Sequence, residues 1–140
     1  MTLAALVADG YDEHQKTLVL TLQQYGVVTI GSEYGWSTLE FFATHKPHLL
    51  ICGYGGNSAM RDGWTPWVIA QKVLGEHAVA RPYMVLLDGF PDKRKRVLSY
   101  EFGYDEYVGK PIELSALLVW VHRARERAES EAAKKEQGSK

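Results

Sequence analysis

The stretch Pro47 to Gly53, PHLLICG, places four consecutive apolar residues between a proline and a glycine. A short apolar run with such borders is typical of a β-strand that is buried on both faces, as in a parallel sheet. Four similar runs lie before and after it along the chain, and helical patterns fill the intervals between them. The predicted strands are Leu3 to Ala8, Val27 to Ile30, Leu49 to Cys52, Tyr83 to Leu87 and Tyr107 to Val108.

Each predicted strand is followed by a predicted helix whose limits are marked by glycine, proline and capping residues. We expect Trp36 and Ala43 to face inward on the second helix, together with Leu39 and Phe42. Trp120 lies off the main stripe of the fifth helix, and it is either partly exposed or packed on a neighbouring helix. The predicted helices are Asp12 to Tyr25, Gly35 to His45, Pro66 to about Leu74, Pro91-Asp92 to Phe102, and one defined by Leu114, Leu117, Leu118, Val121 and Ala124.

Five strand–helix units predict an α/β fold, with one doubly wound, five-stranded parallel sheet covered by helices on both faces. Residues 1–126 form the predicted domain, and the polar residues 127–140 form a charged helical extension or a disordered tail. In such folds ligands and chemistry lie at the carboxyl ends of the strands. The residues at these ends are Asp9-Gly10, Gly53, Leu87-Asp88 and Lys110.

The composition limits the compartment and the partners. The formal net charge of -1 gives the whole molecule no attraction to nucleic acid or to an anionic membrane. No apolar segment approaches the roughly 18 residues of a membrane helix, and Asp9 interrupts the apolar start too early for a signal peptide. The single cysteine, Cys52, is expected to be a buried thiol in a cytoplasmic protein. The scattered histidines predict no metal site, and we expect no cofactor and no enzymatic activity.

A second stretch, Phe102 to Pro111 (FGYDEYVGKP), ends in a Lys-Pro pair directly after the fifth predicted strand. Together with PHLLICG and the five strand–helix units, it resembles the receiver domain of two-component response regulators over about residues 3 to 126. The resemblance implies a (βα)5 flavodoxin-like receiver fold. In this family an aspartate accepts a phosphoryl group from a partner's phosphohistidine. The reaction needs a carboxylate nucleophile, acidic residues that bind a divalent metal, a lysine and a hydroxyl.

The resemblance, applied residue by residue, implies that most of these groups are missing here. The phosphoacceptor position falls on Gly53, which has no nucleophile, and the acidic pair falls on Asp9 and Gly10. Leu87 stands at the Ser/Thr position, and Lys110 is retained. We therefore predict a degenerate, non-phosphorylatable pseudo-receiver without a metal site. We also expect Asp9 and Lys110 to pair directly and to lock one conformation.

Four consecutive basic residues open the predicted fourth helix, where cations are unfavourable for the helix dipole. In receiver domains the face formed by the fourth helix, fifth strand and fifth helix is the usual partner or dimer surface. The resemblance therefore implies an acidic protein partner or a second copy of the chain at this face, and the composition argues against nucleic acid. Tyr107 also stands where the family has a switching aromatic. The predicted partner-face residues are Lys93, Arg94, Lys95, Arg96, Tyr104 and Tyr107, with Tyr100 nearby.

Two alternatives stay open. Asp88, or Asp62 in the glycine-rich loop, could act as a non-standard phosphoacceptor, although Asp88-Gly89 also has the composition of a turn. A small anionic ligand could instead occupy a crevice left empty by Gly10 and Gly53, where the glycine-rich loop Gly53 to Ser58 offers backbone N–H groups.

Overall fold

A computed structural model of the chain describes residues 1–9, 12–54, 63–75 and 81–138. The short apolar runs form strands, as expected for segments without polar side chains to expose. The structure extends the second, third, fourth and fifth of them beyond their predicted ends. The strands are β1 (Ala4–Ala8), β2 (Val28–Ser32), β3 (Leu49–Tyr54), β4 (Tyr83–Asp88) and β5 (Glu106–Gly109).

The five strands form one parallel sheet in the order β2-β1-β3-β4-β5. This order confirms the predicted doubly wound sheet. The register pairs Gly53 with Leu87, Tyr54 with Asp88, and Asp88 with Gly109. The ends of β3, β4 and β5 therefore meet at one edge of the sheet, as the sequence analysis requires.

Helices cover both faces of the sheet and divide the core into two layers. Leu18, Leu22 and Leu117 pack on one face, and Phe42 and Ile69 pack on the other. The helices are α1 (Asp12–Gln24), α2 (Trp36–His45), α3 (Pro66–Gly75), α4 (Lys93–Glu101) and α5 (Ser115–Gly138).

The second helix is rotated relative to the prediction. Thr38 and Phe42 are its buried residues, while Trp36 is 60% exposed and Ala43 is also exposed. Trp36 lies about 200° from Thr38 around the helix axis, so the two cannot both face the sheet. The prediction that Trp36 and Ala43 face inward is therefore wrong, and Trp36 packs edge-to-face on Trp64 instead.

The fifth helix continues into the predicted extension, and its first part packs closely on the sheet. Trp120 is almost completely buried in the core, which excludes the alternative in which it is partly exposed. The helix remains packed as far as Ala128, and it continues beyond the body of the domain to Gly138. Within the described ranges, no helix has the length and apolar character that crossing a bilayer requires.

Candidate functional site

Asp9 follows β1 directly and is only 2% exposed. Lys110, which follows β5, brings its Nζ to 3.0 Å from Asp9 Oδ2 and 3.2 Å from Oδ1. From α1, His14 donates from Nδ1 to Oδ2 at 2.5 Å. The predicted contact between Asp9 and Lys110 is therefore present, and we call these three residues the Asp9 pocket. A buried carboxylate needs such partners, because the interior does not solvate its charge.

Gly53 lies against this pocket. A Cβ atom built on Gly53 would be 2.7 Å from Asp9 Oδ1 and 2.8 Å from Asp9 Cγ. These distances are shorter than van der Waals contact, so the Asp9 carboxylate already occupies the space that a side chain at this position would need. The other predicted pocket position, Gly10, lies outside the described residues, as do Asp62 and most of the glycine-rich loop.

Leu87 lies opposite Gly53 in the register and is completely buried in the core. It contributes neither a hydroxyl nor an exposed surface at the edge of the sheet. The polar group at the end of β4 is the neighbouring carboxylate, Asp88. Of the five predicted pocket residues, the structure thus gathers Asp9, Gly53 and Lys110, and it places Leu87 in the core.

Asp88 is only 1% exposed and is surrounded by hydrogen-bond donors. Its Oδ2 accepts from the Tyr107 hydroxyl at 2.5 Å and from Lys95 Nζ at 2.7 Å. Its Oδ1 accepts from the backbone N–H of Phe90 at 2.9 Å, which is the side-chain hydrogen bond of a turn. We call Asp88, Lys95 and Tyr107 the Asp88 clasp, because they join β4, α4 and β5.

The charge of Asp88 is compensated within the clasp. Burial acts to raise the pKa of this carboxyl group, but the hydrogen bonds from Lys95, Tyr107 and Phe90 outweigh burial and hold the pKa below its usual value of 3.8. Burial and the hydrogen bond to Asp88 also raise the pKa of Tyr107 to about 12. Around neutral pH, the clasp therefore contains an ionised carboxylate and a neutral phenol.

Two predicted partner-face residues turn out to be buried. Tyr107 is 5% exposed, and its hydroxyl oxygen also accepts the Asp92 N–H at 3.1 Å. Tyr104 packs in the core and donates to the Pro66 carbonyl at 2.8 Å. Both rings can be buried because their polar tips find partners inside the protein. The prediction that Tyr104 and Tyr107 line a partner surface is therefore wrong.

The four basic residues of α4 also differ in exposure, because one of them faces the interior. Lys95 points inward, and its Nζ contacts the Asp88 carboxylate, the Phe90 carbonyl at 2.7 Å and the face of the Tyr54 ring at 4.5 Å. Lys95 is thus wrongly predicted as a partner-face residue, because Asp88 binds it internally. The other three cations are exposed, beside Val97 (56% exposed) and Tyr100 (49% exposed). We call Lys93, Arg94, Arg96, Val97 and Tyr100 the α4 surface.

Sequence reasoning missed the contact between His14 and Asp9. A usable signal was available, because His14 shares a helical stripe with Leu18 and Leu22, both of which are buried. His14 lies one helical turn before Leu18 and close to the end of β1. A polar side chain at this place can reach the residues that follow the strands. No comparable signal identifies Lys95 among its basic neighbours.

No protein-family model and no curated protein sequence matches the chain. Solved receiver structures do resemble it. The response regulator receiver domain protein (CheY-like) from Methanospirillum hungatei JF-1 has a TM-score of 0.80 at 14% identity, over 93% of this chain and 99% of that one. The signal receiver domain of a signal transduction histidine kinase from Syntrophus aciditrophicus has a TM-score of 0.74 at 20% identity, over 88% of this chain and 89% of that one.

A third similar structure is the orphan response regulator HP1043 of H. pylori. Its TM-score is 0.69 at 16% identity, over 89% of this chain and 95% of that one. Identities this low carry information about architecture and not about chemistry. The chain therefore has the flavodoxin-like fold of CheY-like receiver domains, as the sequence analysis predicted.

Proposed function

We propose that this chain is a receiver-like signalling domain that accepts no phosphoryl group and acts by binding a protein partner. One observation carries the first half of this proposal: the Asp9 carboxylate fills the space beside Gly53, the residue to which the resemblance assigns the phosphoacceptor position. A phosphoryl acceptor needs a nucleophile with room for in-line attack, and Gly53 offers neither.

The surroundings of Asp9 also argue against metal-assisted chemistry. Both carboxylate oxygens of Asp9 contact Lys110, and Oδ2 also contacts His14. A Mg²⁺ ion would have to displace both of these partners from a buried carboxylate. Because Mg²⁺ needs several oxygen ligands in near-octahedral geometry, the Asp9 pocket is a poor site for it.

The two alternative functions are less well supported. Asp88 could replace Gly53 as acceptor only if a phosphodonor could reach its carboxylate, but Asp88 is 1% exposed, and its charge is already held by Lys95 and Tyr107. A small anion beside Gly53 would meet the Asp9 carboxylate in the same space, and like charges repel.

The α4 surface carries the second half of the proposal. In the part of the chain that the structure describes, none of Lys93, Arg94 and Arg96 forms a salt bridge. They lie beside the exposed Val97 and Tyr100. A pocket of about 490 Å³, lined by Pro91, Asp92, Lys93 and Arg96, adds a concave border. Exposed cations beside apolar side chains favour an acidic protein partner that also contributes apolar contacts.

A phosphodonor experiment tests the first half. The chain is incubated with acetyl phosphate and Mg²⁺, or with beryllofluoride and Mg²⁺, and is followed by intact mass and amide NMR. We expect no added phosphoryl mass and no shift at the edge of the sheet, whereas a competent receiver domain in the same mixture responds. A phosphorylated Asp88, or a beryllofluoride shift around Asp9 and Lys110, would contradict the proposal.

Charge reversal tests the second half. A partner is captured with the wild-type chain, purified, and titrated against the variant Lys93→Glu/Arg94→Glu/Arg96→Glu. We expect at least about a tenfold rise in Kd, equivalent to about 1.4 kcal/mol, because attraction becomes repulsion. The control reverses three exposed lysines on other helices, Lys16, Lys72 and Lys135, and should change Kd little. Equal Kd values for wild type and the α4 variant would rule out this surface as the binding site. Sedimentation of the chain alone would show whether the partner is a second copy of the chain.

A further inference from the structure

Helix α4 is poorly anchored by apolar contacts. Its one buried residue is Ser99, whose hydroxyl bonds within the helix to the Arg96 carbonyl. The neighbouring helix α3 buries Ile69, Ala70 and Val73. Burial of a large apolar side chain contributes about 1.5–3 kcal/mol, and α4 contains no fully buried one. Polar contacts must therefore contribute much of what holds α4 in position.

Those polar contacts converge on Asp88. Lys95 reaches inward from the first turn of α4 to Asp88, and the same Nζ bonds the Phe90 carbonyl. Tyr107 donates to Asp88 and accepts the N–H of Asp92, the residue that caps α4. One buried carboxylate thus connects the loop before α4, the first turn of α4 and strand β5. Hydrogen bonds that involve a charged group in a buried site are stronger than neutral ones.

The same contacts set the rotation of the helix. Successive residues of a helix are about 100° apart, so fixing Lys95 against the sheet directs its neighbours Arg94 and Arg96 away from it. Arg96 lies over the Tyr107 ring, with its guanidinium carbon 5.8 Å from the ring centroid. The three exposed cations of the α4 surface are therefore presented outward because Lys95 is held inward.

We propose that Asp88 is a built-in anion that positions the α4 surface: from within the fold, it holds Lys95 and Tyr107 and thereby keeps α4 in its partner-binding orientation without an external signal. This inference rests on the proposed function for what α4 binds, but the positioning itself can be measured without any partner. Because the Asp88 carboxyl has a pKa below its usual value, the anion persists over the whole neutral range.

The test is amide hydrogen exchange by NMR on the full chain, comparing wild type with Asp88→Asn. The substitution keeps the shape, removes the charge and replaces one accepting oxygen by an NH2 group that donates, so Lys95 loses its counter-ion. We expect exchange at Val97 to Glu101 in α4 to accelerate by about tenfold or more, while α2 and α3 stay within about threefold of wild type. In Asp88→Asn the pKa of the Tyr107 hydroxyl should also fall below its wild-type value of about 12, because the Asp88 charge helps to raise that pKa.

A second comparison, of amide exchange in Lys95→Met and in Lys93→Met, does not depend on whether the Asp88 variant folds. Both changes remove one lysine charge from the first turn of α4, but only Lys95 contacts Asp88. We expect faster α4 exchange in Lys95→Met and wild-type exchange in Lys93→Met. Wild-type α4 exchange in both Asp88→Asn and Lys95→Met, or equal acceleration in α2, α3 and α4, would overturn the inference.

The proposed function fails by a different result, namely unchanged partner binding after reversal of Lys93, Arg94 and Arg96. If that reversal weakens binding and Asp88→Asn loosens α4, Asp88→Asn should also weaken binding by at least about threefold, although it leaves every residue of the α4 surface unchanged. Loosening of α4 without loss of affinity would overturn the positioning role for Asp88.

Discussion

Among the described residues, two buried carboxylates, Asp9 and Asp88, lie where the strands end, and each contacts a lysine and a further side chain. The two sites differ in the strands and helices that their contacts connect. The Asp9 pocket connects β1, α1 and the end of β5, and it fills the space beside Gly53. The Asp88 clasp connects β4, β5 and a helix that has little apolar anchoring. The same electrostatic requirement thus closes a crevice in one place and orients a surface in the other.

Removing the Asp9 carboxylate should produce the largest effect. Asp9→Ala leaves Lys110 and His14 without the carboxylate that they share, and we expect the free energy of unfolding to fall by about 3 kcal/mol. This is the low end for a broken buried pair, because both partner side chains are partly exposed. Urea denaturation measures the change, with the exposed Glu13→Ala as the control on α1. A loss as small as that of Glu13→Ala would mean that the Asp9 pocket is not a structural unit.

Gly53→Ala should cause the second largest loss in the free energy of unfolding. The added Cβ would lie 2.7 Å from Asp9 Oδ1 and 2.8 Å from Cγ, so Asp9 must move, at a cost of about 1–3 kcal/mol. In the Asp9→Ala background the same change should cost much less, and the double-mutant cycle measures this coupling. Gly75→Ala is the matched control, because in the described part of the chain no atom outside its own helix and its chain neighbours lies within 4 Å of the place that its added Cβ would take. Additive effects of Gly53→Ala and Asp9→Ala would show that Asp9 does not occupy the space.

Tyr107→Phe should have a smaller effect. It removes one of three hydrogen bonds to the Asp88 carboxylate and also the acceptor of the Asp92 N–H, while Lys95 and the Phe90 N–H remain on Asp88. We expect a loss of about 1 kcal/mol in the free energy of unfolding. The exposed Tyr100→Phe is the control and should have almost no effect. If Tyr107→Phe were as stable as wild type, the clasp would consist of Asp88 and Lys95 alone.

The smallest effect should come from His48, which directly precedes β3 and therefore lies at the amino-terminal end of the strands. Its Nδ1 accepts the Ala4 N–H at 3.0 Å, which a protonated ring cannot do. Burial first, and then Arg125 and His45, lower the pKa of His48 below 6.5. The unfolded chain therefore binds the proton more tightly, so this contribution is complete above pH 6.5 and is lost as the pH falls below it.

Thermal unfolding between about pH 7.5 and pH 5.5 measures this contribution. His48→Gln should have a shallower pH dependence of Tm than wild type. An identical slope in the two proteins would assign the pH dependence to other groups. Asp88 should not contribute over this interval, because its pKa lies below 3.8.

Much of this architecture is encoded locally. Five apolar runs separated by helical patterns predict the parallel sheet, because only strands buried on both faces can be apolar throughout. The same logic brought Asp9, Gly53 and Lys110 to one edge, since residues that follow parallel strands must meet there. The contact between Asp9 and Lys110 followed from charge at that edge, and the structure contains it.

The rotation of the helices and the burial of individual side chains were decided by tertiary structure. Four consecutive cations surround α4 on all sides, so no local pattern distinguishes Lys95 from its neighbours. Lys95 faces inward because β4 ends in Asp88, and Tyr107 turns inward because the same carboxylate accepts its hydrogen bond. Such choices depend on which partner lies across the fold, and a buried charge is stable only where that partner exists.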